Sequence, residues 1–324
     1  MLSLARLEET LASKAPFHRP VLLDEVIEAL APRPDAILVD CTLGAGGHAE
    51  GLLERLGPDG RLYGIDRDHA ALQVATRRLI EHVDRFVPLH GRHEDLPDLI
   101  RGAGAFAVDG IVADLGVSSM QLDDPERGFS FREDGPLDMR MDPSEGPTAA
   151  ELIASVPEIE LRRILHVHGE ERMAGPIARA IVRRRSERPF TRTRDLADVV
   201  AATLGPRARK YRIHPATRTF QAIRIAVNGE IEGLERFVAD AVSVLRKGGR
   251  LAVIAFHSLE DRAIKHAMRA LAHRCTCPPA LPVCACGREN IVRLVTSRPI
   301  RPTDEEVAGN PRARSARLRV VERI

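Results

Sequence analysis

Three short apolar runs in the first 115 residues each end in an aspartate. Ile37-Leu38-Val39 ends in Asp40, Arg61 to Ile65 in Asp66, and Gly110 to Ala113 in Asp114. A fourth run, Phe86 to Leu89, lies between the last two. Leu52, Leu53 and Leu56 after the first run, and Leu72, Ala75 and Leu79 after the second, have helical spacing. Strands alternating with helices at this spacing predict an α/β fold with a doubly wound parallel sheet covered on both faces. Right-handed crossovers then bring the carboxyl ends of the strands, and with them the aspartates, to one edge.

The pattern breaks after the fourth run. From about Gln121 to Pro147 the chain is polar and rich in Gly, Pro and Asp, with no sheet periodicity. Ala149 to Leu204 reads as helices, including Ala178 to Arg185 and Leu196 to Leu204. Strand signals resume at Arg250 to Phe256, after the turn Lys247-Gly248-Gly249, and recur at Ile291 to Thr296 and Leu318 to Val321. The simplest organisation is a discontinuous α/β domain over 1–135 and 216–324, with an all-helical domain over 136–215 inserted into it.

Hydrophobic residues make up 44% of the 324 residues, enough to build a core and to exclude disorder as the overall state. No apolar run is long enough for a membrane span, and Met1 to Ala15 lacks a signal-peptide core. The expectation is a soluble, cytoplasmic protein without a membrane partner. Net charge is only +2, but it is unevenly spread. Positions 101–150 carry 4 Arg against 10 acids; positions 151–215 carry 14 basic against 8 acidic residues. That pairing suits an acidic site beside a basic docking face, and equally ordinary solvated helices. Aromatics are 3%, with no Trp, which argues against a stacking platform for single strands.

Gly44-Ala45-Gly46-Gly47 follows the first strand and lets the backbone approach a ligand before a helix starts. The ligand could be a dinucleotide, a mononucleotide or S-adenosylmethionine, and the turn could be purely structural. Asp66, 20 residues after Gly46, is placed to accept from both ribose hydroxyls of an adenosine. Three carboxylates around one crevice would repel a pyrophosphate and attract a sulfonium and an ammonium. That favours S-adenosylmethionine over a nicotinamide dinucleotide. Asp114-Leu115-Gly116-Val117-Ser118-Ser119 adds an acceptor and a tight turn at the position where amino-methyltransferases engage a base amine. An acceptor on the amine hydrogens returns the conjugated lone pair to nitrogen. A cap for the following turn is the alternative role for Asp114.

With those residues in place the chain resembles the bacterial 16S ribosomal RNA cytosine-N4 methyltransferases. The blocks carrying the resemblance run from His18-Arg19-Pro20-Val21 to Asn310-Pro311-Arg312-Ala313-Arg314-Ser315. Between them lie Gly44 to His48, Asp66-Arg67-Asp68, Asp109 to Ser119, Gln121 to Asp124, Arg127 to Phe131, Gly135 to Asp142, His214 to Gln221 and Phe256 to Asp261. The resemblance implies transfer of a methyl group from S-adenosylmethionine to a decoding-centre cytidine, with 16S rRNA in the small subunit as partner. It implies donor contacts from Gly46, Gly47, His48, Asp66, Asp114 and Gln121, and places His93 where the family has a residue beside the adenine. Asp114 is then the residue expected to engage the amine, with Ser118, Ser119 and His257 as helpers. The base side would draw on 121–142 and 214–224: Phe129 and Phe131 to stack or to anchor the loop, Arg218 and Arg224 for phosphates, and Asp138, Arg140 and Asp142 as a charged cluster. Arg183 to Arg188 and the tail Arg312 to Arg323 are candidate RNA grips. A methyltransferase for DNA or protein, and a ribosome-assembly binder without catalysis, are the rival readings, and a homodimer is a candidate assembly.

Four of the five cysteines cluster as Cys275-x-Cys277 and Cys284-x-Cys286. Four thiolates could hold one tetrahedral structural zinc, although Cys-x-x-Cys is the usual spacing. Reduced thiols are the alternative. Cys41 reads as a small core residue.

Overall fold

The computed structural model describes residues 20–206, 214–273, 277 and 286–324. Cys275 and Cys284 lie outside the described residues, so the expected zinc tetrad does too. The first part of the chain runs α1 (Leu23–Leu30), β1 (Ile37–Asp40), α2 (Gly47–Leu53), β2 (Arg61–Asp66), α3 (His69–Arg78), β3 (Phe86–His90), α4 (Leu96–Gly102), β4 (Val108–Asp114) and α5 (Ser119–Asp123). Five helices follow: α6 (Ala149–Ser155), α7 (Glu158–Val167), α8 (Ala174–Glu187), α9 (Thr193–Leu204) and α10 (Thr217–Asn228). The chain then returns to the sheet through α11 (Leu234–Val244), β5 (Leu245–Ala255), α12 (Ser258–Ala272), β6 (Val292–Leu294), α13 (Asp304–Gly309) and β7 (Arg317–Arg323).

The sheet has seven strands in the order β3-β2-β1-β4-β5-β7-β6. Strands β1 to β5 are parallel; β7 is antiparallel to β5, and β6 to β7. Successive residues feed opposite faces, as the two-residue period of a strand requires. Val39, Tyr63, Ile111, Leu251 and Val253 join one core with Phe237, Ile264 and Met268 from α11 and α12. Leu38, Leu62, Val112, Ala252 and Ile254 join the other with Val26, Leu52 and Leu72 from α1, α2 and α3. Both faces are dry, which explains why the strands read as unbroken apolar runs rather than alternating ones. Asp109 fastens the opposite edge: its carboxylate accepts from the Ile37 N–H at 2.9 Å and from Arg246 at 2.6 Å.

Helices α6 to α10 gather around a third core, with Ile153, Leu165, Ile177, Ile181, Leu196 and Val200 at its centre. This core draws on more chain than 136–215: it also takes Phe129 before that span, and Phe220 and Ile223 of α10 after it. Phe129 is buried there, and Phe131 packs edge-on against Phe220 at 4.7 Å, so both rings anchor the polar loop. Lys247-Gly248-Gly249, expected as a turn before a strand, is taken into β5, with Gly248 at φ +82° and a register shift opposite Val108 and Gly110. Among the described residues no helix is long and apolar enough to cross a membrane.

Phe237 is the largest of the fully buried side chains and fills the space between α11 and the sheet. Phe237→Ala is expected to cost about 3–5 kcal/mol of unfolding free energy, measured by urea titration at constant m-value.

Candidate functional site

β1 and β4 are neighbours in the sheet, yet the chain leaves β1 toward β2 and β3 and comes back to β4. The crevice outside their carboxyl ends is the switch point at which open α/β sheets bind ligands. A cavity of about 440 Å³ opens there. Its wall includes Gly44, Gly47, His48, Asp66, His93, Asp114, Ser118, Ser119 and Gln121.

The loop after β1 is held by Asp66. One carboxylate oxygen accepts from the Gly44 N–H at 2.8 Å and the other from the Asp68 N–H at 2.8 Å. Burial raises the Asp66 carboxyl despite these bonds. Each oxygen keeps a lone-pair direction for a ligand hydroxyl. Gly46, expected at the ligand, is instead turned away from the cavity: at φ +79°, a Cβ there would meet the Ala75 side chain at 3.2 Å. It brings the chain down onto α3. Gly47 does face the cavity, and a Cβ on it would lie 2.5 Å from Pro20 Cγ.

His48 is buried, and its Nε2 bonds the Val21 carbonyl at 2.9 Å. A carbonyl can only accept, so Nε2 carries the hydrogen and Nδ1 keeps its lone pair. Burial pushes the imidazole down to about 4, so the ring is neutral near pH 7. Nδ1 lies 3.9 Å from Asp114 Oδ2. The other oxygen, Asp114 Oδ1, is buried without a hydrogen-bond partner. Burial, then the charges of Asp40 and Glu260, push the Asp114 carboxyl well above the usual carboxylate range. Asp40, at the end of β1, also has one unpartnered buried oxygen, and burial lifts it to about 7. Thr42 joins the two strand ends: its hydroxyl accepts from the Asp114 N–H at 2.5 Å, and its own N–H donates to Asp40 at 3.1 Å.

Ser118 caps α5. Its hydroxyl accepts from the Gln121 N–H, and the Gln121 side-chain oxygen accepts from the Ser118 N–H at 3.0 Å. The Gln121 amide also donates to Asp68 at 3.0 Å, so this side chain serves the loop although it borders the cavity. Arg127 completes that tie, donating to Asp68 at 2.7 Å and to the carbonyls of Arg140 and Met141. His93 sits in the wall with its Nε2 buried and unpartnered, its ring edge-on to Phe237 at 4.8 Å. Burial lowers its pKa, which keeps it neutral.

His257 does not border the cavity. Its Nδ1 accepts from the Glu260 N–H at 3.3 Å, capping α12, and its Nε2 lies 3.1 Å from Glu260 Oε1. Glu260 is the residue that reaches the cavity, and sequence reasoning passed over it within Phe256-His257-Ser258-Leu259-Glu260. Burial would raise its carboxyl; the bond with His257, the Arg224 charge and the Phe256 N–H outweigh that and hold it below the usual range. Arg224, expected on phosphate, is bound at 2.9 and 2.7 Å to both oxygens of Glu230. Arg218 donates to the Glu170 carbonyl. Among the described residues only Glu230, His257 and Glu260 bring three ligand-type atoms within 4.8 Å. The Arg224 guanidinium balances that cluster, which makes it an ion-pair network. In the loop, Arg140 holds Asp138 at 2.8 Å, while Asp142 turns to Ser144.

The arrangement is a crevice lined by both acids and arginines, with a buried, unpaired carboxyl oxygen on Asp114 at its wall and another on Asp40 behind it. The sequence model of the MraW methylase family matches residues 15–324. The chain belongs to that family. It is similar to the ribosomal RNA small subunit methyltransferase H of Trichlorobacter lovleyi, 53% identical over 307 residues, covering 95% of this chain and 98% of the relative. The same-named protein of Pelobacter propionicus is 51% identical over 308 residues, with 95% and 98% covered. A solved S-adenosylmethionine-dependent O-methyltransferase of Thermotoga maritima is 10% identical, with 98% of this chain and 70% of that one covered at a TM-score of 0.42.

Asp40 gives a pH signature for the family's crevice in this chain. Its folded value of about 7 exceeds that of an exposed aspartate, so the folded state binds the proton more tightly. Its contribution to stability therefore falls as pH rises from about 4 to about 7 and stays low above that. Asp40→Asn is expected to raise Tm at pH 8, by at most about 4 kcal/mol in stability, and to leave Tm nearly unchanged at pH 4.

Proposed function

We propose that this chain transfers a methyl group from S-adenosylmethionine to N4 of a decoding-centre cytidine in 16S rRNA. The observation that carries the reading is the Asp114 carboxyl: an unpartnered, buried oxygen at the switch point, beside a glycine loop. The names of the relatives, small-subunit RNA methyltransferases, support the RNA as substrate.

The cavity fits the donor on three counts. Its volume lies in the range of small-molecule sites. Asp66 and Asp114 border it at the strand ends, with Asp40 buried behind them, and their ionised forms favour a cation there. Asp66 retains lone pairs for ribose hydroxyls, Gly47 borders the cavity while packing closely on Pro20, and His93 offers a neutral edge for an adenine. When bound, S-adenosylmethionine supplies a methyl group on a cationic sulfur.

The chain's own part is to make a weak nucleophile attack. Cytosine must leave its stack to reach the crevice. Asp114 in its ionised form accepts a hydrogen bond from the N4 amine, which draws the lone pair out of the ring and toward the methyl. The same carboxylate is placed to take the proton that the amine sheds. His48, fixed by Val21, faces the second oxygen of Asp114 at 3.9 Å as a neutral ring and donates no hydrogen bond to it. Ser118 and Ser119 shape the turn beside it. His257 acts through Glu260 as a positioning residue for the wall. The helical segment 136–215 is the substrate-recognition insert in this reading, and 1–135 with 216–324 the methyltransferase domain.

Asp114→Asn is expected to slow N4 methylation of 16S rRNA by 100-fold or more, read by mass mapping of RNA from a complemented deletion strain. Wild-type activity in that variant, or an unmethylated cytidine with the wild-type chain, defeats the reading. Donor affinity should rise between pH 6 and pH 8, because Asp40, buried behind the crevice, loses its proton at about 7 and its charge then favours a cation. Calorimetry in buffers of different ionisation enthalpy should show net proton release on binding.

A further inference from the structure

A second concavity, of about 330 Å³, lies on the helical unit, between α7 and the start of α8. Arg162, Arg163, His166 and Arg172 line it together with Ile159 and Gly175. Arg179, one turn along α8, closes over the same floor. A methyl group added at Gly175 would lie 3.6 Å from Arg179 Nη1 and 3.8 Å from Arg162 Nε, so two guanidinium groups converge on one point. Arg163 is held by Glu160, with bonds of 2.6 to 3.0 Å. Among the described residues Arg162, Arg172 and Arg179 make no ion pair with an acid. All three are exposed. Like charges drawn together without acids repel one another, and a bound anion would relieve that cost.

The anion would be held by the guanidinium groups and not by the end of α8: buried Glu171 already accepts from the Met173 N–H at 2.8 Å, and Pro176 has no N–H. Ile159, 78% exposed on the rim, offers an apolar surface to a sugar or base edge. The notch is also tethered to the reaction edge. Glu170, two residues before Arg172, accepts from Ser258 at 2.9 Å and from Arg262 at 3.3 Å, at the start of α12. The Arg183 to Arg188 run is less available, because Arg185 donates to the carbonyls of Ile153 and Val156 and Arg184 to that of Arg188.

We infer that this notch is a phosphate-docking site for the sugar-phosphate backbone of the substrate RNA, held by Arg162, Arg172 and Arg179 at the head of α8. The inference rests on the RNA reading above and names a grip separate from the crevice. Arginine suits it because the planar fork binds phosphate oxygens in pairs. Phosphate contacts of this kind fix register without reading sequence.

The test compares wild type with the triple variants Arg162→Ala/Arg172→Ala/Arg179→Ala and Arg162→Lys/Arg172→Lys/Arg179→Lys. Each is titrated with a 16S RNA fragment across a salt series, and with S-adenosylmethionine by calorimetry. The alanine variant should bind RNA at least tenfold more weakly at low salt, with the slope of log K against log salt reduced by about 2. Its donor affinity should match wild type, and the lysine variant should keep most of the slope. Unchanged RNA affinity and slope in the alanine variant overturn the notch and leave the crevice reading standing. A loss seen only on assembled small subunits, not on the naked fragment, points to a protein partner and also overturns it. If wild type binds the donor but no RNA, the notch and the RNA substrate fall together.

Discussion

The site rests on carboxyl groups kept out of water with too few hydrogen-bond partners. Asp40 and Asp114 end adjacent strands, each with a buried oxygen lacking a partner, and both are pushed up in pKa by that burial. Leaving polar atoms unsatisfied costs stability, and a fold tolerates it only where the surrounding structure holds the groups in place. Here the holding is done by the sheet register, which sets Asp40 across from Val112, and by Thr42, which bonds both strand ends. The unmet acceptors are then oriented before a ligand arrives, and a bound cation would favour their ionised form.

The rest of the wall follows from that arrangement. Asp66 is spent in part on the glycine loop, so the loop's shape depends on the strand beside it. His48 cannot charge while buried, which lets it face Asp114 without forming a fixed ion pair that would cancel the negative field. On the far side, Arg224 with Glu230 and His257 with Glu260 link α10 of the helical unit to the start of α12. The two units thus share a wall of paired charge, and Arg224, Glu230 and Glu260 of that wall border the crevice.

Much of this was legible in the residues. The strand ends Asp40, Asp66 and Asp114 were readable because parallel strands buried on both faces leave uninterrupted apolar runs, and an acid after such a run stands out. Gly47, His48 and His93, three of the residues named from the resemblance, border the cavity. Other roles depended on partners far along the chain and left no local trace. Gly46 touches α3 rather than the cavity, since a positive φ says that a turn exists and not which way its open side faces. His257 and Gln121 are spent on capping, which sequence spacing alone does not separate from a ligand role. Arg224 looked like a phosphate grip until Glu230, six residues on, folded back onto it. Glu260 was hidden by the more conspicuous histidine three places before it.

The strand that completes the sheet is also the last element of the chain described here. β7 slots between β5 and β6, and β6 pairs with no other strand. Just before it, Arg312 reaches back to Asp123 at the end of α5, and both Arg312 and Ser315 border the cavity. A polypeptide emerging from the ribosome would therefore carry its Gly loop and its aspartates for some two hundred residues of synthesis before the pocket's final side is laid down. The crevice is therefore a late product of synthesis, closed by residues made long after the strand ends that it encloses.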